Sequence, residues 1–119
     1  LNITFETNGT QELTTEFTEE MVKLENMLKP YDSINLIFSI SPKLSNSGEP
    51  EQKALVPKAI ASYYNLFTLL SSSSLYLKYV IRNNKQVLEI QYFTEQYQLA
   101  IYNIHKNIIN IPIYVMPEG

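Results

Sequence analysis

The feature that most constrains the fold is a pair of segments with strand-like alternation, residues 75–82 and 87–93. Two asparagines beginning at Asn83 follow the first segment, and asparagine tolerates the positive φ angles of a two-residue turn. If the chain turns there, Lys78 lies opposite Glu89 and apolar residues face apolar residues across the pair. The pattern therefore predicts an antiparallel hairpin.

Two further segments extend this predicted sheet. Residues 97–104 continue the same apolar face as a third strand, and residues 108–116 have alternating isoleucines that favour a fourth. Pro112 cannot donate a hydrogen bond to a neighbouring strand, so we expect the fourth strand to have one open side or a bulge.

The first half of the chain mixes helical and strand patterns. Apolar spacings of three and four predict a helix over residues 15–29, and a second helical pattern runs over residues 51–70. Pro57 predicts that the second helix is kinked or begins there. Alternation predicts strands over residues 1–5 and 34–41. Together these elements predict an α+β fold: a mainly antiparallel, curved meander sheet with two helices packed on one face.

A chain of 119 residues with 45% hydrophobic residues fits a single globular domain over residues 1–119. It begins at Leu1 and not at Met, so we expect a domain excised from a longer protein. The sequence has neither a membrane-spanning apolar segment nor a signal-peptide pattern. Localisation stays open, and the absence of cysteine only weakly favours an exported bacterial domain.

The composition excludes several kinds of chemistry. With no cysteine and only His105 as histidine, the chain has no disulfides, thiolate metal sites, cysteine nucleophile or multi-histidine metal site. Three glycines are too few for a phosphate-binding glycine loop, and Asp32 is the only aspartate. We expect no catalytic residues, metal or cofactor, and therefore no enzyme. A net charge of −3 argues against a nucleic-acid partner.

The outer face of the predicted meander is less polar than a solvated sheet face should be. We therefore predict a protein–protein interaction or assembly module that binds another protein, or a second copy, through this face or an open strand edge. The alternative is that the fourth strand, the terminal strand or a helix covers this face within the monomer. The predicted partner-binding residues are Tyr76, Val80, Arg82, Val87, Tyr102 and Ile104.

A second function is compatible with the same predicted fold. Helices packed against a curved sheet can enclose a small-molecule site, and such sites are mostly apolar with a few polar groups. Tyr63, Phe67, Tyr79 and Tyr92 would line that pocket. The interaction module is the leading interpretation, and the small-molecule site is the alternative.

Overall fold

The computed structural model describes residues 1–31, 33–48, 50–107 and 110–118, with the backbone alone at residues 51 and 52. Asp32 and residues 108–109 of the predicted fourth strand lie outside the described residues. A 3-10 turn at Ser45–Ser47 precedes the second helix. The elements in chain order are β1 (Asn2–Thr7), α1 (Thr15–Leu28), β2 (Asn35–Ile40), α2 (Glu51–Ala54), α3 (Pro57–Leu69), β3 (Ser73–Ile81), α4 (Asn84–His105) and β4 (Ile113–Pro117).

The four strands form one sheet in the order β1-β2-β3-β4, and every neighbouring pair is parallel. The mixed α and β composition is confirmed, but the antiparallel meander is wrong. The prediction of two helices is also wrong, because α4 is a third long helix beside α1 and α3. Parallel neighbours need crossover connections, and the helices supply them.

Residues 84–105, predicted to hold two strands, form the single helix α4. The Asn83 side chain accepts a hydrogen bond from the Lys85 N–H, and the Gln86 side chain accepts one from the Asn83 N–H, so a capping box begins a helix where the turn was predicted. The hairpin register is wrong as a result. The buried residues of α4 follow helical spacing: Gln86, Ile90, Phe93, Tyr97 and Ile101.

The strand-like pattern of this segment arises because α4 is apolar on two opposite sides. One side faces the core, and the other carries large exposed side chains. Interleaving two helical stripes places apolar residues at every second position for short stretches, which imitates a strand. The exposed stripe consists of Leu88, Tyr92, Leu99 and Tyr102.

A capping side chain and a proline explain where two helices of the first half begin. The Thr14 hydroxyl accepts a hydrogen bond from the Phe17 N–H at 3.1 Å and caps α1. Pro57 occupies the first turn of α3, where its missing N–H costs nothing, and α2 is a separate short helix. The sequence predicted either a kinked helix or a helix start at Pro57, and in the structure α3 begins at this residue.

Side chains from α1, α3 and α4 pack on one face of the sheet. Right-handed crossovers between successive strands place all connecting helices on the same side. The residues of β2 and β3 that point to that side are buried in the core: Leu36, Phe38, Ile40, Leu75, Leu77 and Tyr79. We call the opposite face of the sheet the open face. Among the described residues, no helix packs on it.

Glu25 fastens α1 to the chain that enters β3. Its buried carboxylate accepts hydrogen bonds from the Ser71 N–H at 2.9 Å, the Ser71 hydroxyl at 3.0 Å and the Ser72 N–H at 3.0 Å. The Lys29 ammonium lies 3.7 Å away. Burial raises the pKa of the Glu25 carboxyl, but the hydrogen bonds from Ser71 and Ser72 and the Lys29 charge together lower it below its ordinary value.

Candidate functional site

The six residues predicted to bind a partner do not form one surface. Tyr76 and Val80 point to the open face from β3, and Arg82 follows the end of that strand. The other three belong to α4, which packs on the opposite face because residues 84–105 are helical: Val87, Tyr102 and Ile104.

The four aromatic residues of the second predicted site are also separated. Tyr79 is fully buried in the core, whereas Tyr92 lies on the exposed stripe of α4. Tyr63 and Phe67 are half-buried on α3. The structure therefore does not gather these four side chains around one pocket.

The clefts of interest lie where the parallel strands end. One cleft of about 330 Å³ is lined by the loop after β2 and by residues of β3 and the β4 end, among them Lys43, Asn46 and Met116. A second, of about 460 Å³, is lined by Glu6, Thr7 and Asn8 at the end of β1. Both clefts share two residues, Ser41 and Lys78. We call these two clefts together the carboxyl-edge site.

A tight turn after β1 shapes one wall of this site. Gly9 has φ +68° and is buried, and its N–H donates to the Thr7 hydroxyl at 3.1 Å. A Cβ at this position would lie 2.5 Å from Ile40 Cγ2, so only glycine lets the loop pack this closely on β2. The Ser41 N–H donates to the Thr7 carbonyl at 2.8 Å and ties the two strand ends together.

The loop after β2 is attached to the start of α4. The Glu89 carboxylate accepts from the Ser45 N–H at 3.2 Å and from the Ser45 hydroxyl at 2.9 Å. The Gln86 amide nitrogen donates to the same hydroxyl at 3.3 Å, while its oxygen accepts from the backbone of Arg82 and Asn83. These bonds hold the wall of the first cleft against a long helix.

An ion pair lies at the rim of the first cleft. Arg82 Nη2 and Glu118 Oε1 are 2.7 Å apart, and the Asn46 amide donates to Glu118 Oε2 at 2.9 Å and to the Val80 carbonyl at 3.2 Å. The hydrogen bonds from Arg82 and Asn46 lower the pKa of Glu118, and the hydrogen bond to Glu118 raises that of Arg82. Arg82 therefore lies beside the carboxyl-edge site, and its charge is balanced by Glu118, which lines the first cleft.

Lys78 and Lys43 contribute the remaining positive charge. Within the described residues, neither ammonium group has a carboxylate at salt-bridge distance. Lys78 is half-buried on the open face, next to the wall that the two clefts share. An unpaired, partly desolvated ammonium is suited to an anionic group.

Ser39 adds an unusual polar group to the open face. Its hydroxyl is buried and has no hydrogen-bond partner among the described residues. The strand register places it between Glu6 and Tyr76, close to the second cleft. Buried hydroxyl groups normally have a partner, so Ser39 is an exception within the sheet.

Sequence reasoning missed most of the carboxyl-edge site: Asn8, Ser41, Lys43 and Lys78. The signal was present, because a polar segment follows each of the first three strands. These polar segments can be recognised as one site only when the strands are known to be parallel. In an antiparallel sheet, successive strands end at opposite edges, so the segments would not meet.

The described part of the chain contains no cluster of three or more residues able to ligate a metal ion. Nor does that part contain a helix with the length and apolarity needed to span a bilayer.

The fold belongs to the class of domains that are built from successive βαβ units with a parallel sheet. Comparison of the chain with protein-family models, with curated proteins and with solved structures gave no match.

Proposed function

We propose that this domain binds a small molecule carrying a carboxylate or phosphate at the carboxyl-edge site. The observation that carries the proposal is Lys78, whose unpaired ammonium adjoins two clefts at the edge where the parallel strands end. Sheets of βαβ units bind ligands at this edge, because the loops after each strand converge there.

The surrounding groups support a ligand of this chemistry. Lys43 and Lys78 provide two positive charges, and Asn8 and Ser41 provide uncharged donors and acceptors. The Glu6 carboxylate lines the second cleft, and the charges of Arg82 and Glu118 offset each other, so the local positive charge is moderate and favours a ligand with one acidic group over a polyanion. The cleft volumes of about 330 and 460 Å³ lie at the lower end of the range for small-molecule sites.

The experiment is an NMR titration of the 15N-labelled protein with inorganic phosphate and with acetate. We expect the amide signals of Asn8, Ser41 and Lys78 to shift in a saturable manner with one or both probes. Lys78→Gln should weaken the interaction by about tenfold or more, because a charge-assisted hydrogen bond is lost from a partly desolvated site.

Lys23→Gln is the matched control, since Lys23 is an exposed lysine on α1 that only pairs with Glu20 on the same helix. It should bind both probes as the wild-type protein does. Equal weakening by the two substitutions would show nonspecific charge attraction. Shifts that are confined to other surfaces, or that are insensitive to Lys78→Gln, would also contradict the proposal.

A second candidate function is assembly with another protein through the open face and the open edge of β4. Both faces of a parallel sheet are normally covered. Here Tyr76 and Tyr114 stack edge to face at 5.5 Å on the open face, and Val80 and Met116 beside them are exposed. This apolar cluster favours a protein partner.

The test compares tagged wild-type protein with a Val80→Glu, Met116→Glu double variant after crosslinking in its own cells. Both side chains are exposed, so the variant should fold normally by circular dichroism and lose the crosslinked partner. Leu88→Glu on α4 is the control and should retain it. Retention of the partner by the double variant would exclude the open face as the interface.

A further inference from the structure

The outer edge of β4 presents backbone groups that no neighbouring strand uses among the described residues. The Leu77 N–H donates to the Pro112 carbonyl at 3.0 Å, and the Glu118 N–H donates to the Ile81 carbonyl at 2.8 Å. Because hydrogen-bonding direction alternates along a strand, these two bonds place the N–H groups of Ile113 and Val115 on the side away from β3.

The helical layer that covers the sheet ends before it reaches β4. On β3, Leu77 and Tyr79 face the helices and are 0% and 1% exposed. Their register partners on β4, Ile113 and Val115, point to the same side but are 36% and 47% exposed. The core layer over β3 therefore has no counterpart over β4 in the described residues.

The composition of β4 is that of an interior strand. Ile113 and Val115 on the helical side and Tyr114 and Met116 on the open face are all large and apolar. Strands covered on both faces have this apolar composition, whereas natural edge strands often carry charged side chains. β4 does have the short length of an edge strand, and Pro117 at its end has no N–H to pair.

We propose that β4 pairs with a strand from a helix–strand unit of a different protein, whose helix packs over Ile113 and Val115. The strand satisfies the two outward N–H groups, and the helix buries the two exposed side chains, so one unit accounts for both observations. This inference rests on the second candidate function and names the kind of partner that the β4 edge fits.

A second copy of the chain fits these observations less well. Two β4 strands related by a two-fold axis at Val115 would pair the outward N–H groups and match apolar residues across the axis. No helix would then be added over β4, because each copy contributes only the same uncovered strand. A pairing of two five-residue strands would also be small beside a standard interface of about 800 Å² per partner.

Residue-resolved amide hydrogen exchange tests the strand pairing. In the purified protein we expect Tyr114 and Met116 to be protected by β3, whereas Ile113 and Val115 exchange rapidly. In the assembly isolated from its own cells, the amides of Ile113 and Val115 should exchange at least about 100-fold more slowly than in the purified protein. Protection of these amides that instead grows with the concentration of the purified protein would indicate a second copy and overturn the proposal.

Photocrosslinking tests the helix. With p-benzoylphenylalanine in place of Val115, we expect crosslinks in cells to residues three or four positions apart on one helix. The control is the same group in place of Glu12, an exposed residue outside the sheet, which should not crosslink to that helix. Crosslinks to residues 113–117 of a second copy would overturn the proposal.

The two readouts separate this inference from the candidate function on which it rests. Protected amides without helix crosslinks would refute the helix–strand unit but leave assembly at the β4 edge intact. Neither protection nor crosslinks would refute both the inference and the β4 edge as an interface.

Discussion

Replacing Glu25 by glutamine removes a buried charge that connects α1 to β3. The carboxylate accepts hydrogen bonds from three donors of Ser71 and Ser72, through four contacts of 2.9 to 3.1 Å. Bonds to a charged acceptor contribute about 1.5–3 kcal/mol each, but both serines are exposed and their freed groups can bind water. Because glutamine keeps one acceptor oxygen, we expect Glu25→Gln to lower the free energy of unfolding by about 1–2 kcal/mol.

The effect should depend on pH. The pKa of Glu25 is lower in the folded protein than its ordinary value, so its contribution to stability is present at neutral pH and declines as the pH falls through the folded pKa. Glutamine does not titrate, so the stability difference between the two proteins should shrink as the pH falls below the ordinary pKa of a glutamate.

Urea unfolding followed by circular dichroism at several pH values measures both quantities. Glu20→Gln is the control, because Glu20 lies on the same helix but is exposed and pairs only with Lys23. It should change stability very little. Equal destabilisation by the two substitutions, or a Glu25→Gln effect that is constant down to acid pH, would refute the reasoning.

Two further substitutions test local features of the fold by the same urea assay. Gly9→Ala should destabilise the protein by about 1–3 kcal/mol, because φ is positive there and the added Cβ meets Ile40; an unchanged midpoint would show that the loop relaxes freely. Asn83→Ala should cost about 1 kcal/mol through loss of the α4 cap, with Asn65→Ala on α3 as a control. Unaltered stability of the Asn83 variant would mean that α4 does not depend on its capping box.

Local patterns predicted the elements that have a single apolar side. Helix α1 begins at Thr15 as expected, and the predicted strands over residues 1–5 and 34–41 overlap β1 and β2. Pro57 marked the start of α3 because proline imposes the same backbone restriction in every context. These features depend on residues that are close in sequence.

The prediction failed at residues 84–105 because periodicity cannot distinguish a helix with two apolar sides from two strands. The better signal was local: Asn83 followed three residues later by Gln86 is a capping box, and it preceded a long segment without glycine or proline. Once that helix was missed, β3 and β4 had no crossover between them, and the parallel sheet was missed as well.

The carboxyl-edge site could not be predicted for the same reason. Asn8, Ser41 and Glu118 follow the ends of three strands and Lys78 lies within β3, and nothing in their local sequence shows that they meet. The order and direction of the strands bring them together, and these are properties of the whole chain.

The strand order has a consequence for how the sheet forms during synthesis. Paired residues in neighbouring strands are separated by only 33 to 37 positions, and no strand waits for a partner from the far end of the chain. Each new strand can therefore be added to the one made just before it as the polypeptide leaves the ribosome. The order of assembly that this favours runs from β1 to β4, so of the four strands the one with four exposed apolar side chains in a row is made after the other three.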